Sequence, residues 1–274
     1  MIIIAELVNA TRKKVREAVL GRDAAHIKKL VADQKKAGGT FIDINVGTGK
    51  GDTKDEIASM QWAVAQAIEV GGADIALSID SANNEVLQAG LEACPKGVTH
   101  FINSVTAESN RIEVTLKLVK KYNTNVVALA MGDEGIKVEP EARLAAAVRI
   151  RDMAKSMGIA DDRLYFDPLV MPLGTDPRNP TLTLDTGRAI KAKYPAAHLC
   201  MGLSNVSHGL PERRLINRVF LTLAMQAGFD GAIIDPCDAD MMSTLVAADA
   251  LLGRDEFCMN YIAYIRARQQ AKQA

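Results

Sequence analysis

The sequence predicts an α/β protein, a single-domain (β/α)8 TIM barrel. Eight short apolar runs alternate with eight segments of helical periodicity, an order that closes most economically into a ring of parallel strands. Most of these runs are continuously apolar rather than alternating, as strands covered on both faces are. The length of 274 residues suits one barrel, and no low-complexity or Pro/Ser-rich linker divides it. The competing architecture is a doubly wound open sheet. Against it, no G-x-G-x-x-G or Walker loop follows the first run, and Gly47-Thr48-Gly49-Lys50-Gly51 after the second has the spacing of neither, so it reads as a flexible loop.

In chain order the strands are expected at 2–7, 41–46, 75–79, 100–102, 126–131, 164–166, 198–202 and 231–234. Helices are expected near 23–37, 54–70, 84–93, 111–122, 140–157, 182–193, 211–226 and 239–252. The first run is too short for a signal segment or a membrane span and lacks a basic leader, so it opens the barrel. Thr53 with Glu56 three residues on reads as a capping box, and Pro140 and Pro211 suit first helical turns. Gly38, Gly71, Gly158, Gly228 and Gly253 stand where helices end. Residues 1–265 make the barrel, and 266–274 a charged tail that solvates or frays.

With 33 Lys+Arg against 33 Asp+Glu, the chain carries no net electrostatic footprint for nucleic acid or an anionic membrane. Cys94, Cys200, Cys237 and Cys258 lie far apart without a CxxC, which excludes a zinc ribbon, an iron–sulfur site or a disulfide framework and fits reduced thiols in the cytoplasm.

Polar residues collect at the carboxyl ends of the expected strands. Glu6 and Asn9 follow the first, Asp43 and Asn45 the second, Asp80 the third, Asn103 the fourth, Asp167 the sixth, Asn205 the seventh and Asp235 the eighth. A barrel brings these ends to one mouth, where sites in this fold lie. The result is a cup of carboxylates and amides, poor in cations, suited to a neutral, donor-rich heterocycle rather than a phosphate. A carboxylate such as Asp80 or Asp167 accepts two parallel N–H bonds from an amino-pyrimidinone edge, and Asn103 offers both a donor and an acceptor. A hard cation is the other ligand such acids take, although no His-x-x-x-His or Glu-x-x-His pairing accompanies them.

The most donor-rich stretch is 201–211, MGLSNVSHGLP, between the seventh strand and an amphipathic helix. Gly202 and Gly209 leave room for a ligand, while Ser204, Asn205, Ser207 and His208 project polar groups. Ser204, His208 and Asp235 could be assembled into a triad on paper, but Gly-Leu-Ser-Asn-Val is not a G-x-S-x-G elbow. His26 and His100 fall in a helix and at a strand start, as satisfied histidines do. Residues 171–175 form a rim or lid on the same mouth.

With Asp43-Ile44-Asn45, Ser78-Ile79-Asp80-Ser81, Ile102-Asn103-Ser104, Phe166-Asp167-Pro168 and Gly202-Leu203-Ser204-Asn205 in place, the chain resembles the pterin-binding barrel family over essentially its whole length. Within that family it looks most like the methyltetrahydrofolate:corrinoid methyltransferases, through Leu-Ser-Asn-Val-Ser and Leu215-Ile216-Asn217-Arg218. The resemblance implies that Asp80, Asn103 and Asp167 bind the pterin of tetrahydrofolate or 5-methyltetrahydrofolate. It implies that Asn205 reaches N5, with Asp43, Asn45, Gly202, Ser204 and His208 around the ring. It further implies cobalamin supplied by a partner corrinoid protein docking at the mouth, since no Asp-x-His-x-x-Gly corrinoid motif occurs in the 274 residues, and it implies a homodimer without a bound metal. Dihydropteroate synthases are the runner-up. They are similar in the Asp/Asn/Asp set but carry a lysine-containing Ser-x-Lys-x-x-Arg segment after strand seven and an arginine–histidine pair after strand eight, where this chain has Ser204-Asn205-Val206-Ser207-His208 and Asp235-Pro236-Cys237. A non-catalytic pterin-binding barrel is the remaining alternative.

Overall fold

Successive residues of a strand face opposite ways, so each apolar run supplies one set of side chains to the helices and another to the space the sheet encloses. In the computed structural model, which describes residues 1–273, eight strands use this parity to form a barrel. They are β1 (Ile2–Asn9), β2 (Phe41–Asn45), β3 (Leu77–Asp80), β4 (Phe101–Thr106), β5 (Asn125–Leu129), β6 (Leu164–Asp167), β7 (His198–Leu199) and β8 (Gly231–Ile234). All pair in parallel in the order β7-β6-β5-β4-β3-β2-β1-β8. The ring closes where the Asp230 N–H donates to the Leu199 carbonyl at 3.1 Å and the Ile233 N–H to Met201 at 2.8 Å. The chain is one domain, the (β/α)8 barrel that the run of apolar segments predicts.

Helices α1 (Lys13–Gly21) and α2 (Ala24–Lys36) fill the first crossover. The others are α3 (Thr53–Gly71), α4 (Asn84–Ala93), α5 (Ile112–Tyr122), α6 (Pro140–Ser156), α7 (Asn179–Lys193), α8 (Arg213–Gln226), α9 (Ala239–Leu251) and α10 (Met259–Gln273). Two of these were not expected. Helix α1 buries only Val15, Ala18 and Val19, too few apolar positions to mark a period. Helix α10 takes in the charged stretch from Arg266 as far as Gln273, while Ala274 lies outside the described residues.

Two boundary signals are corrected. The capping box at α3 is Asp52 with Asp55, not Thr53 with Glu56: Asp52 accepts from the Lys54 and Asp55 N–H groups at 2.8 and 3.0 Å, and Asp55 accepts from the Asp52 N–H at 3.2 Å. A carboxylate outcompetes the hydroxyl for those donors, which leaves Thr53 to accept from Asn83 at 3.1 Å and Glu56 from Ser81 at 2.8 Å. Pro211 stands outside α8 rather than in its first turn, because Leu203–Ser207 winds a 3-10 turn and Glu212 takes a left-handed φ of 48° before the helix starts at Arg213.

Two cores result. Between strands and helices lies the main apolar shell. Inside the barrel, Ile4, Phe41, Phe101, Val127, Tyr165 and Cys200 form a separate plug, with Phe41–Phe101 and Phe101–Tyr165 packed edge to face at centroid distances of 4.6 and 4.7 Å. All four cysteines are free. No helix among the described residues is long and apolar enough to cross a membrane.

Candidate active site

One inward step above the plug, two residues on, side chains turn polar on four of the strands. Phe41 is followed by Asp43 and Asn45, Phe101 by Asn103, Tyr165 by Asp167, Ile4 by Glu6 and Cys200 by Gly202. Register aligns them, with Asn45 opposite Asp80 and Asp80 opposite Asn103. Glu6, Asn9, Asp43, Asn45, Asp80, Asn103 and Asp167 all lie within their strands rather than after them. A polar side chain ends an apolar run in the sequence, but the backbone ladder of β4 continues past Asn103 to Thr106.

Hydrogen bonds tie the β2–β4 sector together. Asp43, 1% exposed, accepts from the Ser78 hydroxyl at 2.6 Å and the Asn103 amide at 3.3 Å through the same oxygen. The Asn45 amide donates to Asp80 at 2.8 Å. Burial lifts the Asp80 carboxyl to about 6, and burial plus the neighbouring Asp80 charge holds Asp43 well above the usual carboxylate range, so this pair retains a proton where isolated aspartates have lost theirs.

Asp167 stands across the barrel on β6, 6% exposed. Its two oxygens accept backbone N–H bonds from Leu169 at 2.7 Å and Gly202 at 3.2 Å. Burial nevertheless raises its carboxyl to about 6. The backbone at Gly202 approaches closely because it has no side chain, and a Cβ there would meet the Asn205 amide nitrogen at 3.2 Å.

Asn205 and Ser204 ride on the 3-10 turn Leu203–Ser207 at the mouth. The Ser204 hydroxyl donates to Glu6 at 3.3 Å, and burial raises the Glu6 carboxyl. The Asn205 side chain is exposed and makes no hydrogen bond among the described residues, though its backbone N–H and C=O serve the turn through Gly202 and His208. It lines a crevice of about 650 Å³ together with Glu6, Arg213, Asn217 and Asp235. The expectation of a cup poor in cations holds for its floor and fails at this rim, where Arg12 pairs with Glu6 at 3.2 Å and Arg213 donates to the Ser204 carbonyl at 2.8 Å. A second crevice, of about 840 Å³, opens beside Asn45, Ser81 and Asn83.

The structure thus joins Asp43, Asn45, Asp80 and Asn103 into one network, Asp167 to Gly202, and Ser204 to Glu6. His208 is exposed at the end of the turn, apart from them. The paper triad does not form: Ser204 is bonded to Glu6, and Asp235 accepts from the Cys237 N–H at 2.8 Å. His100 is satisfied on both nitrogens, by the Leu77 N–H and the Pro95 carbonyl. Among the described residues, no group of three or more His, Cys, Asp or Glu is placed to hold a metal ion.

One residue that strand-end patterning misses is Arg143, enclosed on α6 behind the Asp167 loop. The signal for it is helical spacing, since Arg143 shares the buried face with Ala147, Ile150 and Ala154 at i+4, i+7 and i+11.

The chain matches the pterin binding enzyme family over residues 5–235. It is 35% identical over 266 residues to the methylcorrinoid:tetrahydrofolate methyltransferase of Eubacterium limosum, a match that covers 95% of this chain and 94% of that one. It is 30% identical over 248 residues to the methionine synthase of Mycobacterium leprae, covering 85% of this chain but only 20% of that protein. Among solved structures it resembles the dihydropteroate synthase of Stenotrophomonas maltophilia with active site-bound imidazole (TM-score 0.68, 18% identity, 91% of this chain and 93% of that one). The dihydropteroate synthase of Xanthomonas albilineans in complex with 7,8-dihydropteroate is similar at TM-score 0.64 and 19% identity, over 82% and 86%. At such identity the structural likeness speaks for the fold.

Proposed function

This chain belongs to the pterin binding enzyme family, and on that premise we propose that it is a methyltransferase moving a methyl group between N5 of tetrahydrofolate and the cobalt of a corrinoid carried by a separate protein. The observation that carries this is the placement of Asp80, Asn103 and Asp167 above one apolar floor, with the Asn205 amide, unpartnered among the described residues, on the turn at the mouth. The near full-length match to a methylcorrinoid:tetrahydrofolate methyltransferase supports it over the dihydropteroate synthases.

In this reading the pterin's aminopyrimidinone edge donates to Asp80 and Asp167, and Asn103 meets a ring donor and acceptor. The corrinoid is the second substrate, and its cobalt exchanges the methyl group. When the methyl leaves N5, the C–N electron pair stays on nitrogen, a very poor leaving group unless a proton arrives there. Asn205 accepts a hydrogen bond from the protonated N5 through its carbonyl, and its neutrality avoids over-stabilising bound substrate. The corrinoid protein docks over the barrel mouth, and the chain works as a homodimer in the cytoplasm. Methyl exchange between methylcobalamin and tetrahydrofolate with the purified chain tests the reading; no exchange, with folate bound, leaves only a pterin-binding barrel.

Folate affinity should depend on pH in a direction the carboxylates set. The pterin's donors require ionised Asp80 and Asp167, both lifted by burial to about 6. Tetrahydrofolate binding is therefore expected to weaken from pH 7 to pH 5, by about tenfold if one carboxylate titrates and about a hundredfold if both do. The ligand-free chain runs the opposite way. Between pH 4 and 6 it holds protons that the unfolded chain has released, so its stability falls as pH rises through that window, by roughly 3 kcal/mol for Asp167 alone. Affinity that is flat from pH 5 to 7 by calorimetry removes these two carboxylates from the pocket.

Metal is expected to be dispensable. Chelator-treated chain supplied with free reduced cobalamin should keep its methyl transfer rate; activity lost and then restored by magnesium or zinc reinstates a metal site among the acids.

A further inference from the structure

Arg143 is the bulkiest fully enclosed side chain among the described residues, 1% exposed, and it makes no ion pair among them. Its partners are carbonyls: Nε donates to Lys137 at 2.7 Å, and Nη1 to both Pro168 at 2.8 Å and Leu169 at 2.9 Å. Thr183 on α7 donates to the same Leu169 carbonyl at 3.0 Å. These bonds fix a turn in which Leu169 holds a left-handed φ of 69°, sparsely populated for a branched side chain, and so aims its N–H at Asp167. Burying a guanidinium without an anion in contact is expensive, and neutral donors could brace two carbonyls as well. What a cation adds is its field, and the charges that reach Arg143 are those of Asp167 and Glu139.

We propose that Arg143 is a positioning residue for the pterin site, clamping the Pro168–Leu169 turn against Asp167 and keeping that carboxylate in its ionised, hydrogen-bond-accepting form. The groups that face Asp167 are few. Leu169 and Gly202 give it backbone N–H bonds, Arg143 on α6 gives it positive charge, and Cys200 just after β7, whose thiol burial pushes up, stays neutral. Clamp and charge thus act from one side, through one residue. The clamp and the ionisation stand on the fold alone; only their bearing on folate rests on the function proposed above.

Two variants separate charge from clamp. Arg143→Gln keeps one amide donor and removes the charge; Arg143→Lys keeps the charge and breaks the fork. The carbon-13 shift of the Asp167 carboxyl, assigned with Asp167→Asn, is titrated in the ligand-free protein. Its midpoint should rise by about one pH unit in Arg143→Gln and by less than half of that in Arg143→Lys. In Arg143→Lys, the Leu169 amide should exchange its hydrogen at least about tenfold faster than in the parent. Tetrahydrofolate affinity in Arg143→Gln should follow the displaced carboxyl midpoint and converge on the parent's at high pH. An unmoved midpoint in Arg143→Gln, or an affinity loss equal at every pH, overturns the charge role, and parental Leu169 exchange in Arg143→Lys overturns the clamp. If Arg143→Gln does not fold, Arg143→Lys decides: a midpoint raised by a full unit there, with the charge kept, sinks the proposal. A displaced midpoint in a chain that binds no folate upholds the positioning and rejects the pterin assignment instead.

Discussion

Replacing Asn205 by alanine is expected to slow methyl transfer by about 10²–10³-fold while weakening tetrahydrofolate binding by less than about tenfold. The asymmetry follows from where the amide acts. If it chiefly meets N5 as the proton arrives, its hydrogen bond is stronger in the transition state than with bound substrate, and its loss appears in the rate. The structure favours a clean substitution, because the turn is held by the backbone of Asn205 and the side chain has no partner to orphan among the described residues. An amide does not titrate, so the pH profile should keep its shape. If Asn205 merely stabilises the turn, stability and affinity fall together with little separate effect on chemistry. Single-turnover transfer at saturating folate, beside a thermal melt, distinguishes the two, and a near-normal rate at saturation rules the catalytic role out.

Asp167→Ala and Asp80→Ala are each expected to weaken folate binding by about 1.5–3 kcal/mol, roughly ten- to 150-fold, the scale of a charge-assisted hydrogen bond. Their cost to the free protein should differ. Removing the Asp167 carboxyl strands the Leu169 and Gly202 N–H groups, whereas removing that of Asp80 frees the Asn45 amide and relieves the buried Asp43 of a neighbouring charge. Each variant also loses a carboxyl whose ionisation the fold resists, so neither melt at neutral pH should collapse. Unchanged affinity by titration calorimetry in both variants would withdraw the pterin pocket.

Much of this was legible in the sequence, for identifiable reasons. Helix α4 and strand β8 match their expected bounds at both ends, because Asn83 caps the first and Asp230 and Asp235 bracket the second. The polar ring was legible because an aspartate inside an apolar run has few uses other than to face a site. Strand ends were not, since pairing in β4 depends on its neighbours and not on whether Asn103 is apolar. The turn under Asn205 left no trace either: five residues of i→i+3 bonding show no period, and residues 198–202 read as strand although β7 pairs with β6 only at His198 and Leu199. Arg143 shows in the sequence only as a member of a helix face, because two of the three carbonyls that hold it, those of Pro168 and Leu169, come from a loop 25 and 26 residues on.

The stacking of a polar layer on an aromatic plug also bears on how such a chain tolerates insertion and deletion. Removing one residue from β2 below Asp43 would exchange the two faces, sending Asp43 and Asn45 into the apolar shell and bringing Ile44 and Val46 into the mouth. Strands that carry the site can therefore change length only by two residues at a time, each such step moving a carboxylate by about 6.6 Å along the strand. The connections above them obey no such rule. Length variation among descendants of this barrel should accumulate in the loops at the mouth and leave the depth of the polar floor unchanged.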